Sequence, residues 1–384
     1  MKKGFTVVEM LGVFILLALI ALIAVPTVNK LKDQYEEDTF KESVKGILTA
    51  AESFHAENEY ENFPDEGLLI SDERLNIKNQ SQYEDGYITY NHDIGRFEVR
   101  LLTNGNFCAS GSKDNLKITK GNCETDYSCF TANSGVITDY NYDDEKCTKD
   151  VKIPEILAGS EVVAIGDNAF SFDDNSVFCS SNGFVTKTEH DINYVPAASE
   201  VCISKNAFND LIDEKAVEYV ILPKKVNRIG KNAFSGTNLK MLDLSKLESF
   251  TTIEDSAFFG ANDFLKIIIN KNITSIGNYA FYKTKLYDFD FSKLKNLSTI
   301  GKYSFSETNL TKIDLSKSTN LTKIDNNAFY KLNNRNIKLY LGNKTSLNTL
   351  GVGSFCETHY EIKSPVNMNS SISDSTLANA CLNY

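Results

Sequence analysis

Apolar residues fall along this chain in three successive rhythms. From Phe5 to Val25 they run almost without a break, interrupted by a single carboxylate, Glu9. As a helix that run would extend about 31 Å at ~1.5 Å per residue, enough to cross the hydrocarbon core of a membrane. After Pro26 the apolar positions thin to helical spacing, at Val28, Leu31, Tyr35, Val44, Ile47, Leu48, Ala51 and Phe54. Lys32, Asp33, Glu36 and Glu37 lie between them, so the spacing predicts an amphipathic continuation of the helix to about Ala56. A polar loop with Pro64 and Gly67 runs from Asn62 to Gln82. Strands are predicted at Tyr87 to Tyr90 and Phe97 to Thr103, with Asn104-Gly105 as a hairpin turn before Phe107 and Cys108.

The third rhythm is a repeat. A nine-residue pattern, apolar-x-x-Ile-Gly-x-x-Ala-Phe, is clear at Val226 to Phe234, Ile273 to Phe281 and Leu297 to Phe305. Variants of it occur at Val162 to Phe170, Phe250 to Phe258, Leu321 to Phe329 and Leu347 to Phe355, and a weaker match ends at Phe208. From Phe208 onward the closing phenylalanines, at 208, 234, 258, 281, 305, 329 and 355, are 23 to 26 residues apart. Such a period predicts stacked units, each burying its apolar side against the next. Between the motifs lies a short alternating strand, whose inward residues are predicted to be Val220 and Leu222, Leu242 and Leu244, Ile267 and Ile269, Phe289 and Phe291, Ile313 and Leu315, and Leu339 and Leu341. The repeated Phe, Ile and Leu read as core, with no catalytic part.

A charge inside a membrane-spanning run is costly, about 2.5 to 3.5 kcal/mol near the helix centre on insertion scales, so Glu9 needs a partner. Lys2 and Lys3 precede the run and leave the short N-terminus in the cytoplasm under the positive-inside rule. At Gly4-Phe5-Thr6-Val7-Val8-Glu9 the chain resembles the type IV prepilin family, whose processing signal is Gly-Phe-Thr-x-x-Glu followed by an apolar helix. The resemblance implies that a prepilin peptidase cuts after Gly4 and that Phe5 becomes a methylated N-terminus. Glu9 would then pair with the amine of Phe5 in a neighbouring subunit and set the assembly register. It also implies a fold class for the N-terminal part: α+β and pilin-like, a long helix packed on a small antiparallel sheet.

From about Tyr127 to Tyr384 the chain resembles the BspA-type leucine-rich repeat family of bacterial surface proteins, on the nine-residue motif and on Leu-x-x-apolar-x-apolar at Leu239 to Leu244, Leu286 to Phe291 and Leu310 to Leu315. A β-rich leucine-rich-repeat solenoid is therefore expected to follow the pilin-like part. The domains are expected at 1–4 (leader), 5–25 (transmembrane or assembly helix), 26–125 (head) and 127–384 (solenoid with disulfide-closed ends). Between Phe170 and Phe208 about a dozen extra residues carry Cys179, His190 and Cys202, and read as a disulfide-pinned loop projecting from the solenoid.

Composition narrows the chemistry. The chain has 384 residues, 40 basic and 51 acidic, for a net charge of −11, which makes nucleic acid an unexpected partner. Eight cysteines beyond a translocation signal favour disulfides, and their proximity suggests Cys108 with Cys123, Cys129 with Cys147, Cys179 with Cys202, and Cys356 with Cys381. No Cys-x-x-Cys occurs and His55, His92, His190 and His359 are scattered, so no metal and no cofactor are expected. The chain contains no phosphate-binding glycine loop, no His-Glu-x-x-His and no Gly-x-Ser-x-Gly, and an enzyme is not expected. The acidic run Asp143, Asp144 and Glu145 lacks EF-hand spacing and reads as a solvated turn.

Function is expected instead on the outward column of the strands: Tyr219, Asp243, Lys266, Asp288, Asp290, Lys312, Asp314 and Tyr340, a mix suited to an extracellular protein or glycan ligand. The expected role is a minor or tip pilin-like subunit at the bacterial cell surface, held by one N-terminal membrane helix, assembled with other pilin subunits in a pilus or pseudopilus, and displaying the solenoid for adhesion. The alternative is a membrane-anchored surface receptor or structural protein that never polymerises.

Overall fold

The structure, a computed structural model, describes residues 7–57, 63–142, 144–171, 177–179, 202–204, 216–363, 367–368 and 372–382; between Val7 and Ala24 the described side chains are those of Met10, Phe14, Ile15 and Leu22. Gly4 and Phe5 lie outside the described residues, as does the side chain of Glu9. The chain divides into two compact units, Met1–Cys123 and Glu124–Tyr384.

The first unit is built on one helix, α1 (Val7–Glu57), which runs through Pro26 without interruption. Phe40, Val44, Ile47, Leu48 and Ala51 recur three and four apart, so they share one face, and all are buried. That face packs on a five-stranded antiparallel sheet in the order β1 (Leu68–Leu69), β2 (Asp85–Asn91), β3 (Arg96–Thr103), β4 (Phe107–Ser112) and β5 (Lys117–Lys120). Ile88, Val99, Leu102, Phe107 and Ala109 supply the sheet's side of the core. Asn104 and Gly105 turn β3 into β4; Gly105 takes φ +87°, and the Asn104 side chain accepts from the Phe107 amide at 3.0 Å. The Cys108–Cys123 disulfide ties the end of the unit to β4. Upstream of the packed face the helical spacing continues but burial does not, since Val28 and Leu31 are each 61% exposed. Among the described residues, no helix is long and apolar enough to cross a membrane.

The second unit is a solenoid of about seven turns. Each turn adds one rung to three parallel ladders. The first ladder consists of the strands Asp150–Lys152, Tyr219–Ile221, Met241–Asp243 and Lys266–Ile268, then Lys312–Asp314, Ile337–Tyr340 and Tyr360–Ile362. The second is the centre of the nine-residue motif, which forms a two-residue strand of its own at Arg228–Ile229, Thr252–Ile253, Ser275–Ile276, Thr299–Ile300, Lys323–Ile324 and Thr349–Leu350. In-register pairing sets Ile253 on Ile276, Ile276 on Ile300 and Ile300 on Ile324, which is why one residue type recurs there. The third ladder is the Ala-Phe turn: Phe234 donates its amide to Ala257, Phe258 to Ala280, Phe281 to Ser304 and Phe305 to Ala328.

Those turns stack the rings of Phe170, Phe234, Phe258, Phe281, Phe305, Phe329 and Phe355 into one column, with centroids 5.1 to 5.8 Å apart and planes within 18° of parallel. All seven are buried, each contributing about 1.5 to 3 kcal/mol of apolar burial. Tyr140 closes the column at one end, its ring 5.1 Å from Phe170, on a hairpin (Phe130–Asn133 with Val136–Tyr140) beside the Cys129–Cys147 disulfide. At the other end a short helix, α2 (Asp374–Asn379), continues the turn ladder by accepting the Gly353 amide at Asn379, and Ala380 accepts that of Phe355. Cys356–Cys381 locks this cap.

Two sequence expectations change here. Phe208 lies outside the described residues, and the rungs on either side of it in the sequence join directly: Ala164–Ile165 pairs with Arg228–Ile229, Asp150–Lys152 with Tyr219–Ile221, and Phe170 stacks on Phe234. The ladders therefore pass over the whole stretch between Phe170 and Ala216, more than the dozen residues expected. Within it, Val177–Cys179 pairs antiparallel with Cys202–Ser204 and sets Cys179 opposite Cys202; their side chains lie outside the described residues. The second change is at Leu286 to Phe291, where the strand shrinks to a single bridge, Lys266 with Asp288, followed by a 3-10 turn over Phe291–Lys293. Two inward phenylalanines lie at this place: the Phe289 and Phe291 rings are 4.5 Å apart, and both pack on Phe305.

Candidate functional site

The strand ladder projects its outward residues into one column, because alternate side chains leave a strand on opposite sides. Tyr219 and Met241 leave on the outer side yet are each only 1% exposed, so Tyr219 is removed from the candidate ligand face. Alternation fixes the direction of a side chain and not what lies over it. Asp243, Lys266, Asp290, Asp314 and Tyr340 are half-buried, and Asp288 and Lys312 are exposed.

Most of the acids in this column have a local structural task. Asp243 accepts the Ser245 amide at 2.8 Å, and Asp314 accepts both the Ser316 amide (3.2 Å) and its hydroxyl (2.6 Å). Asp290 accepts the Ser292 hydroxyl and lies 3.4 Å from the Lys293 amine. All three open an Asp-x-Ser step, a spacing visible in the sequence; at Asp243 and Asp314 it forms an Asx-type turn that ends the strand. Asp290 is also not in a strand, so Asp288 and Asp290 do not form a pair on one strand face. Lys312 lies 3.0 Å from Asp314 and 5.1 Å from the centre of the Tyr340 ring. Its hydrogen bond to Asp314, above all, raises its pKa. The Asp314 carboxyl is held low by Ser316 and Lys312, against the opposing effect of its partial burial. The column's centre is thus a satisfied cluster, and the structure brings Lys312, Asp314 and Tyr340 together.

A second face lies over the motif ladder. A shallow groove of about 290 Å³ there is lined by Gly277 and Gly301, by Thr252, Ser275 and Thr299, and by the acidic residues Glu254, Asp255 and Asp325. A chain of side-chain bonds stitches it: Asp255 accepts the Asn278 amide (2.7 Å), Asn278 that of Lys302 (2.9 Å) and Asn326 that of Val352 (2.9 Å). On the turn edge, Tyr282 donates to Glu307 at 3.1 Å and Tyr330 to Glu357 at 2.6 Å, each joining one turn to the next. The Glu357 bond pushes the Tyr330 phenol up to about 12.

The most deeply buried cation of the described residues carries no signal in the spacing of the sequence. Lys344 is fully buried, its amine donating to the carbonyls of Leu315 (2.6 Å) and Asn343 (3.2 Å). Burial depresses its pKa to about 8, partly opposed by Asp314. Among the described residues, no group of three or more His, Cys, Asp and Glu is placed to hold a metal ion. Three of the four expected cysteine pairs are formed, with Cα separations of 4.9 Å for Cys108–Cys123, 5.5 Å for Cys129–Cys147 and 5.0 Å for Cys356–Cys381.

A stack of 23- to 26-residue turns with strand, Ile-Gly and Ala-Phe rungs defines a leucine-rich repeat protein. Residues 199–298 and 292–384 match the model of the BspA type Leucine rich repeat region, in six copies, and this part of the chain is a BspA-type leucine-rich repeat domain. The chain is similar to a leucine-rich repeat protein from Bacteroides ovatus, with 14% identity over 64% of this chain and 77% of that one and a TM-score of 0.23. It is also similar to a leucine rich cell surface protein from Faecalibacterium prausnitzii, with 16% identity over 73% of this chain and 80% of that one and a TM-score of 0.24. No curated protein matches the chain.

Proposed function

We propose that this protein is a minor or tip type IV pilin-like subunit that displays a leucine-rich-repeat domain at the bacterial cell surface for adhesion. The observation that carries this reading is the position of Gly4-Phe5-Thr6-x-x-Glu9 at the head of a 51-residue helix whose distal half packs on an antiparallel sheet. Met10, Phe14, Ile15, Leu22, Val25, Val28 and Leu31 are exposed along the proximal half. An apolar stripe of that length calls for cover, from lipid before assembly and from the helices of sibling subunits afterwards. Glu9, paired with the Phe5 amine of a neighbour, would offset the cost of burying its carboxylate.

The solenoid unit is about twice the length of the first, which would crowd a densely packed filament and favours a tip or minor position over a bulk one. Its role in this reading is to bind an extracellular ligand, without turnover. Mass spectrometry of the mature N-terminus tests the proposal. A methylated Phe5 is expected; a mature start at Met1, or after a cut near Val25, would overturn it. Glu9→Val should abolish assembly while leaving export intact, and unchanged assembly would favour the non-polymerising surface receptor.

A further inference from the structure

The solenoid's C-terminal end holds a cavity of about 750 Å³, within the range that small ligands fill. It opens where the last two rungs of the strand ladder begin. Arg335 and Lys338 come from the approach to and the start of Ile337–Tyr340, and His359 immediately precedes Tyr360–Ile362. Two carboxylates share the lining; each has a partner, though only that of Glu361 carries the opposite charge. Glu357 accepts the Tyr330 hydroxyl at 2.6 Å, and Glu361, the ladder partner of Lys338, is ion-paired with Lys363.

Among the described residues, the side chains of Arg335, Lys338 and His359 have no hydrogen-bond or ion-pair partner. In a chain of net charge −11, basic groups without an acid beside them that gather around one concavity mark a place for an anion. Arginine's planar fork suits a carboxylate or sulfate, and lysine adds a point charge beside it. The rest of the lining is sugar-like in its demands: the Asn336 amide and the His359 ring offer donors and acceptors for hydroxyls, and the Tyr360 ring offers a face for C–H groups.

We propose that this cavity binds an acidic glycan, whose carboxylate or sulfate is held by Arg335 and Lys338. The proposal deepens the ligand-binding role of the solenoid and moves the ligand from the middle of the strand face to its C-terminal end. It does not depend on whether the N-terminal helix assembles.

Calorimetric titration of the full chain in detergent tests it, with trigalacturonate carrying carboxylates, a sulfated heparin disaccharide carrying both groups, and maltotriose carrying neither. Saturable binding of one or both acidic sugars is expected, with none for maltotriose, and the stronger of the two reports which anion the site prefers. Arg335→Gln and Lys338→Gln should each weaken binding tenfold or more. Lys224→Gln, at the far end of the solenoid, should leave it unchanged. Absence of binding by either acidic sugar would overturn the proposal, as would binding indifferent to Arg335→Gln and Lys338→Gln. Inorganic sulfate or hexaglutamate binding as tightly would overturn it too, in favour of a free anion or an acidic peptide. Loss in Lys312→Gln alone would place the ligand on the strand face, rejecting the cavity while sparing the wider binding role.

Discussion

Phe170 stacks on Phe234 with ring centroids 5.1 Å apart and planes 12° from parallel, although another motif phenylalanine, Phe208, lies between them in the sequence. The column is therefore defined by contact and not by count. Phe281, in its middle, should cost about 3 to 5 kcal/mol when changed to alanine, because the neighbouring rings are held by the turn ladder and cannot collapse into the space. Phe208→Ala should cost much less than Phe234→Ala. Urea denaturation of the three variants checks both statements, and equal losses at 208 and 234 would contradict the bypass.

Gly301 lies so close to the turn before it that a Cβ there would approach the Gly277 carbonyl carbon to 2.5 Å and the Asn278 nitrogen to 2.7 Å. Both obstacles are backbone held in the ladder. Gly301→Ala should destabilise by about 1 to 3 kcal/mol through overpacking, read as a lower thermal midpoint.

Ser304 occupies the position that is Ala233, Ala257, Ala280 and Ala328 in other turns. Its hydroxyl is buried and, among the described residues, has no hydrogen-bond partner. An unmatched buried hydroxyl is unfavourable, so Ser304→Ala should leave the fold intact and stabilise it by up to about 1 kcal/mol. A lower denaturation midpoint would show that the hydroxyl has a partner after all.

Lys344 makes stability depend on pH. Its amine is depressed to about 8 in the fold from an ordinary 10.5, so between those values the unfolded chain binds more protons than the folded one. Stability from this group is therefore greatest above pH 10.5, falls as pH drops towards 8, and stays at the lower level below that. Lys344→Met should flatten this slope, measured by chemical denaturation at a series of pH values between 8 and 10.5.

Much of the fold was legible because stacking makes each turn repeat the demands of the last. Ile276 rests on Ile253 and under Ile300, so all three positions want the same shape, and the repetition is visible as spacing. The first unit was legible for a different reason: Phe40, Val44, Ile47 and Ala51 fall on one helical face, and Asn104-Gly105 permits a tight turn. Alternation gives Asp243 and Asp314 an outward direction, while their bonds to Ser245 and Ser316 follow from the two-residue spacing of Asp-x-Ser.

By itself, the sequence determined the period, most core residues of the rungs and the helix, and proximity suggested the three disulfides that form, since all of these involve neighbours close in the chain or recurring at a fixed interval. Tertiary structure alone decided that Tyr219 is covered, that Lys344 is buried with its amine on backbone carbonyls, that Phe170 stacks directly on Phe234, and that Arg335, Lys338 and His359 surround one cavity. Each of these turns on which distant segment lies over a given side chain. Periodicity sets the direction in which a residue points; burial and charge balance depend on what it meets there.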